Sequence, residues 1–402
     1  MSRQESKKDT TEHSWKVARE YSKRIGYVSS VLSANIRLLC WNDRPGMEAV
    51  VPLTKYHVGR MLRGPNFKSM LYHFTDLVAG HEIAGRSRLT IGEMLDLFKS
   101  TDIGAFLLVC GLTRIVRAKA PTILLREVRP HLAREAHLGA LIGVALPHLG
   151  MAPGILWGVL PHVAHILMSM HDPELYLTWR RSLVVGSPAE KSSRELDVWG
   201  CTSAQVCALL MVNFGFPRDA ACAFELASRF KGAVGYLKEG ELQNFCGTSL
   251  WFEIFLNNQG EPNYSMPAHL YPFPDTKARA QTALTAFSLQ EPAWIERSAR
   301  DISPEKTPHL FQDEGTSENL QATNPLQEIF TVDSLTQMDE WAFDTLLAEI
   351  DADIRQGVNP FAHSREDEVL EIAEAEREAM QHAFTAKNKR RRSSFKRREP
   401  VA

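Results

Sequence analysis

Five histidines stand where this chain carries no charge. From Ala136 to His171 there is no Asp, Glu, Lys or Arg, although 23% of the 402 residues are charged. His137, His148, His162, His165 and His171 fall in that stretch. Imidazole is a common metal ligand, so the stretch reads as a metal site, a membrane span or a buried core. His162 and His165 are three residues apart and share a helix face. Metal sites use that spacing when carboxylates or thiolates complete the shell. Here the nearest carboxylates, Glu135 and Asp172, lie at the two edges of the stretch. His137, His162 and His165 are the weak metal candidates. A histidine pair on an apolar helix reads better as packed core, so no metal, cofactor or catalytic residue is expected.

A spanning helix needs about 20 consecutive apolar residues. Pro147, Pro153 and Pro161 cut this run into short pieces, and Gly139, Gly143, Gly150, Gly154 and Gly158 add flexibility. His148 and His162 would fall where lipid penalises polar groups. The expectation is a buried soluble core and no membrane span.

Other chemistry is sparse. The six cysteines are scattered with no CxxC pair, and the polar N-terminus is unlike an export signal, which implies a reducing cytoplasm. No P-loop, GxGxxG, GxSxG or HExxH occurs. Arg114, Arg117, Arg126, Arg129, Arg180 and Arg181 lie on or beside predicted helices, where they form a solvated face or meet a phosphorylated ligand.

The C-terminal region is patterned by charge. Residues 301–380 hold 20 acidic and 4 basic residues, and residues 387–398 hold 8 basic and no acidic ones. Such blocks mark solvated tails. In the tip, Lys387, Lys389, Arg390, Arg391, Arg392, Lys396, Arg397 and Arg398 are candidates for contacting nucleic acid, anionic lipid or an acidic partner. The tip's other reading is a tail folded back on the acidic region.

The elements that must position these residues are helices. Apolar residues recur at three- and four-residue steps over 11–40, predicting one helix there. A short helix is expected over 51–62, and Pro65 opens another. Thr90 and Glu93 have capping-box spacing. Asp102 is placed to cap the helix that follows it, and Asp172-Pro173 starts a further one. A Ser/Gly/Pro loop is expected at 182–193, then helices over 202–214, 217–231 and 239–257, with Gly215 and Pro217 separating the first two. No period-two alternation persists, so the fold class is all-α. Beyond residue 258 short helices are expected at ARAQTALTAF and EPAWIERSARD, then a linker and a flexible, partly helical extension.

Four segments resemble the HDOD domain, the non-hydrolytic signalling relative of the HD phosphohydrolases. They are GPNFKSMLYHF, RLTIGEMLDLFKSTDIGAFLLVCGL, EAHLGALIGVALPHLGMAPGILWGVLPHVAHILM and WGCTSAQVCALLMVNFGFPRDAACAFELA, in the family's order. The resemblance covers about residues 50–258 and implies an HD-superfamily-like multi-helix bundle. In the hydrolases a His and an adjacent Asp bind the metal that activates water. This chain has Pro161 and His162 at that dyad position and Ser203 at a later His position, while His137 falls near the early His. The departures imply packing without hydrolysis. The organisation expected is a helix packing on the body over 1–49, an HDOD-like domain over 50–258, a loop with short helices over 259–300, and an acidic extension with a basic tip over 301–402. What the resemblance implies is a non-enzymatic, cytoplasmic bacterial regulator that binds a protein partner. A divergent metal-dependent phosphohydrolase and a nucleic-acid-associated regulator acting through the tip are the alternatives.

Overall fold

Backbone meets backbone at the centre of the molecule. The computed structural model describes residues 3–42, 58–59, 65–83, 86, 89–182, 188–230, 237–238, 240–257, 275–288 and 293–302. Among these residues there is helix and no strand. Two long helices, α6 (Thr122–Ala145) and α7 (Met151–Ser169), form the central pair. A Cβ added to Gly139 would lie 2.1 Å from the Gly154 carbonyl oxygen, and one added to Gly154 would lie 2.2 Å from that of Gly139. At Gly158 it would meet the Glu135 carbonyl at 2.2 Å, and at Gly143 the Met151 Cα at 2.5 Å. The pairings 135–158, 139–154 and 143–151 run antiparallel. Ordinary helix pairs keep their axes about 8–10 Å apart because side chains fill the gap. These glycines remove the side chains, so they set a close approach rather than adding flexibility.

The helices before the pair are α1 (Arg3–Lys23), α2 (Ser30–Asn42), α3 (Pro65–Ile83), α4 (Ile91–Leu95) and α5 (Ser100–Lys119). Those after it are α8 (Pro173–Ser182), α9 (Pro188–Trp199), α10 (Ser203–Asn213), α11 (Arg218–Ser228), α12 (Glu241–Asn257) and α13 (Thr276–Ser288). Helix α7 touches α1, α5, α6, α8, α10 and α12, and 83% of its most apolar window is buried by them. It is long and apolar enough to cross a membrane, yet its apolar surface is spent on neighbouring helices. A second cluster joins α6 to α12 and α13 through Leu138, Ile142, Trp251, Phe255 and Phe287. Trp15 and Ala18 of α1 and Trp294 of the last described segment belong to the main cluster, so these parts share one core with the bundle.

Several expectations meet their reasons here. The capping box of Thr90 and Glu93 is formed, and Pro65 opens α3. Asp172 accepts from the Leu175 N–H at 3.2 Å and starts α8. The boundaries of α10, α11 and α12 follow the sequence, with Gly215 at φ +88 between the first two. A Cβ at Gly215 would also strike the Ser33 carbonyl at 2.3 Å.

Others are corrected. The single helix expected over 11–40 is two, because the chain turns at Gly26 with φ +75, and Lys119 Nζ donates to the Ile25 carbonyl at 2.6 Å. Asp102 does not cap its own helix. Its buried carboxylate accepts from the Ala152 N–H at 2.8 Å and so caps α7. Of the three prolines only Pro147 cuts the run, in the turn between α6 and α7. Pro153 sits in the first turn of α7, where a missing N–H is harmless, and the helix continues through Pro161 in its interior. The loop expected at 182–193 gives way to α9 from Pro188. The described part of EPAWIERSARD, residues 293–301, forms turns and a short 3-10 helix (Ala299–Asp301). Most of the helix expected over 51–62 and everything beyond residue 302 lie outside the described residues.

The central contact predicts a steric result. Gly154→Ala should lower the urea unfolding midpoint by the equivalent of about 1–3 kcal/mol, as overpacking does. Gly92→Ala, whose nearest neighbour would be Thr90 Oγ1 at 3.9 Å, should leave the midpoint unchanged or slightly raised.

Candidate functional site

The charge-free stretch places its histidines among carboxylates brought from outside it. His165, about one turn from the C-terminal end of α7, faces α9. Its Nε2 lies 2.7 Å from Glu195 Oε1, and both side chains are almost fully buried. Glu195 also accepts from the Ser203 backbone N–H at 2.7 Å and from the Ser203 hydroxyl at 2.8 and 2.9 Å. Ser203 is the first residue of α10, so the carboxylate sits at a helix N-terminus, where negative charge is favoured. The α10 start is further closed by the capping box of Thr202 and Gln205. Trp179, Trp199 and Tyr176 surround the His165 ring at centroid distances of 4.7, 5.9 and 5.9 Å.

The protonation pattern follows from these contacts. Burial alone would raise the Glu195 carboxyl. The His165 hydrogen bond, the nearby Lys191 ammonium and the Ser203 N–H outweigh it and hold the group below the usual carboxylate range. Burial pushes the His165 imidazole down, against the pull of Glu195. The pair is therefore a carboxylate receiving the Nε2–H of a neutral imidazole.

One turn earlier, His162 Nε2 lies 3.0 Å from Glu135 Oε2 of α6. Burial works against the Glu135 charge, but His162 and Lys191 prevail and depress its pKa. Below Glu135 on α6, His131 Nε2 meets the Arg180 guanidinium of α8. Burial and then the Arg180 charge lower the His131 pKa. Arg180 also donates to the Tyr176 hydroxyl at 3.1 Å. The groups run from the α6–α8 surface inward to α10.

The predicted site residues are thus brought near one another only in part. His162 and His165 share a face of α7 as expected, but each is taken by a different carboxylate. His137 lies on α6, buried, and neither ring nitrogen has a hydrogen-bond partner. Burial and then the Arg297 charge push it down to about 4. His148 is half-buried between α6 and α7, and His171 is exposed after α7. Among the described residues no three His, Cys, Asp or Glu side chains converge as a metal shell would require. All six cysteines are free and buried. Ser203 takes its place beside His165, though it bonds the carboxylate and not the imidazole. Glu195 was not legible as a site residue. It lies 30 residues from His165 in a helix the sequence disguised as a loop.

The arginines divide into two groups. Arg117 donates to the Ile295 carbonyl at 3.3 Å, Arg129 pairs with Glu296 at 2.5 Å, and Arg114 lies over the Phe67 ring at 5.6 Å. With Trp294 donating to the Ala136 carbonyl and His73 bonded to the Ser298 carbonyl, Arg117 and Arg129 fasten residues 293–302 onto the bundle. Arg126, Arg180 and Arg181 instead line one cleft. The basic residues from Lys387 to Arg398 lie outside the described residues.

Comparison with family models, curated proteins and solved structures returns no match for this chain.

Two outcomes follow. Glu195→Ala strands the His165 N–H and the Ser203 N–H in the core and should cost about 3–5 kcal/mol in chemical denaturation, as removing one partner of a buried pair does. Stability should also fall on acidification. Unfolded histidines bind protons near pH 6.5, whereas folded His165 and His137 do not until lower pH. The unfolded chain therefore holds more protons from pH 6.5 down to about 4, and stability drops across that window. Glu135 and Glu195 extend the loss below pH 4.5 as they protonate. Unfolding midpoints measured from pH 7.5 to 5 check this, and His137→Leu should flatten the slope.

Proposed function

We propose that this chain is a regulatory helical domain of the HDOD type that works by binding a protein partner rather than by hydrolysis. The observation that carries this reading is the closed group of His165, Glu195 and Ser203. At the positions where the resemblance expects ligands, Pro161 is absorbed into α7, His162 is paired with Glu135, and Ser203 spends its hydroxyl and N–H on Glu195. Each polar group serves to join helices. Glu195 ties α9 to α7 and α10, and Glu135 ties α6 to α7. Polar groups used in this way fix the register of a bundle. The six buried free thiols suit a reducing cytoplasm, and the acidic region and basic tip supply a charged arm for contact with a partner.

The full-length chain, purified and supplied with Mn²⁺, should release no p-nitrophenol from bis(p-nitrophenyl) phosphate and should retain no stoichiometric metal by elemental analysis. Bound metal together with turnover that disappears in His162→Ala would overturn the proposal in favour of a divergent phosphohydrolase.

A further inference from the structure

Three guanidinium groups of unrelated origin meet at one cleft. Arg126 comes from the first turns of α6, and Arg180 and Arg181 come from the last turn of α8. The cleft measures about 430 Å³, within the range of small-molecule sites. Ile123 and Leu177 give it apolar wall, and Glu127 and Glu174 complete the lining.

The charges of these arginines are not neutralised as surface arginines usually are. Arg180 is held from below by the Tyr176 hydroxyl and by His131 Nε2. Both acceptors are neutral, so they orient the guanidinium and leave its charge unbalanced. Such a preset fork loses little freedom on binding an oxyanion. Arg126 is exposed and has Glu127 only at 3.8 Å, a separation worth little in water. Arg181 makes no ion pair among the described residues.

We propose that this cleft binds a small phosphate ester of about mononucleotide size through its phosphate group. Arg180 provides the fixed donor, and Arg126 and Arg181 close on the oxyanion from either side as charge-assisted donors. Ile123 and Leu177 take the apolar face of the organic part. Glu127 and Glu174 accept hydrogen bonds from its hydroxyl or amino groups. The same carboxylates repel further anionic charge, so the cleft suits one phosphate and not a polyphosphate chain or nucleic acid. The assignment is independent of whether the domain hydrolyses anything, since it involves neither His162, His165 nor Glu195.

Calorimetric titration of the full-length protein tests it, with AMP, ribose 5-phosphate and inorganic phosphate as probes and adenosine as the phosphate-free comparison. AMP should bind at least about tenfold more tightly than adenosine and than ATP. The double variant Arg126→Gln/Arg181→Gln should weaken AMP about tenfold or more, a loss of about 1.4 kcal/mol, with an unchanged melting temperature because both side chains are exposed. Deleting residues 387–402 should leave AMP binding intact. The proposal fails if none of the three phosphate probes binds at millimolar concentration. It also fails if the double variant binds AMP as the parent does, or if binding disappears with the basic tip.

Discussion

The contact between the α6 and α7 backbones at Gly139 and Gly154 organises the rest of the molecule. With no side chain between them, the second half of α6 and most of α7 are buried deep in the fold. Their remaining faces are covered by α1, α3, α5, α8, α10, α12 and α13. A charged side chain in such a place would lose its hydration with nothing to replace it, at a cost of several kcal/mol. The absence of Asp, Glu, Lys and Arg from Ala136 to His171 is therefore a consequence of central position. The same composition suits a membrane, and α7 has the length for one, but its neighbours are protein.

Histidine is the polar residue that this centre tolerates, because a neutral imidazole needs hydrogen bonds and not counter-charge. The carboxylates beside His162 and His165 stand on either side of the charge gap, at Glu135 and Glu195: Glu195 hydrogen-bonds His165, whereas Glu135 lies 3.0 Å from His162 Nε2 without hydrogen-bond alignment. Each remains ionised for a local reason: Glu135 by its neighbours His162 and Lys191, Glu195 by those of His165 and by the α10 terminus. Lys191 lies within electrostatic reach of both. His137 differs. It is buried with no hydrogen-bond partner, an arrangement that costs about 1–3 kcal/mol, and it lies at the face of α6 that residues 293–302 cross. The 293–302 segment holds its own place through Trp294, which is packed between Phe74 and Phe106.

How much of this was legible depended on the range of the interaction. Helix boundaries set by adjacent residues were readable: the Thr90–Glu93 box, the Asp172-Pro173 start, and the Gly215 stop with its positive φ. The all-α class followed from periodicity alone. Readings failed where a distant partner decided the outcome. Asp102 has the position of a cap for α5, but its carboxylate accepts from the Ala152 N–H, 50 residues away. Gly139 and Gly154 read singly as loosening residues, because only their mutual register shows them as a contact. Pro161 read as a breaker because propensity counts a lost hydrogen bond and not the packing that sustains α7 around it. Glu195 was hidden for both reasons. Its helix is short and begins in a Ser/Pro-rich segment, and its partner lies on another element. The Arg126–Arg180–Arg181 cleft was foreseeable only as six basic positions, of which the fold selected three.

His162 and His165 are structural members of the core, each set against a carboxylate. Long-range ¹H–¹⁵N correlation spectra of the full-length chain, labelled at histidine, test this most directly. His165 should appear as the neutral Nε2–H tautomer from pH 7.5 to 6, and its signals should neither shift nor broaden when Mn²⁺ is added. Titration of His165 near pH 6.5, or broadening of His162 and His165 together by Mn²⁺, would contradict the account and point to an open site for metal chemistry.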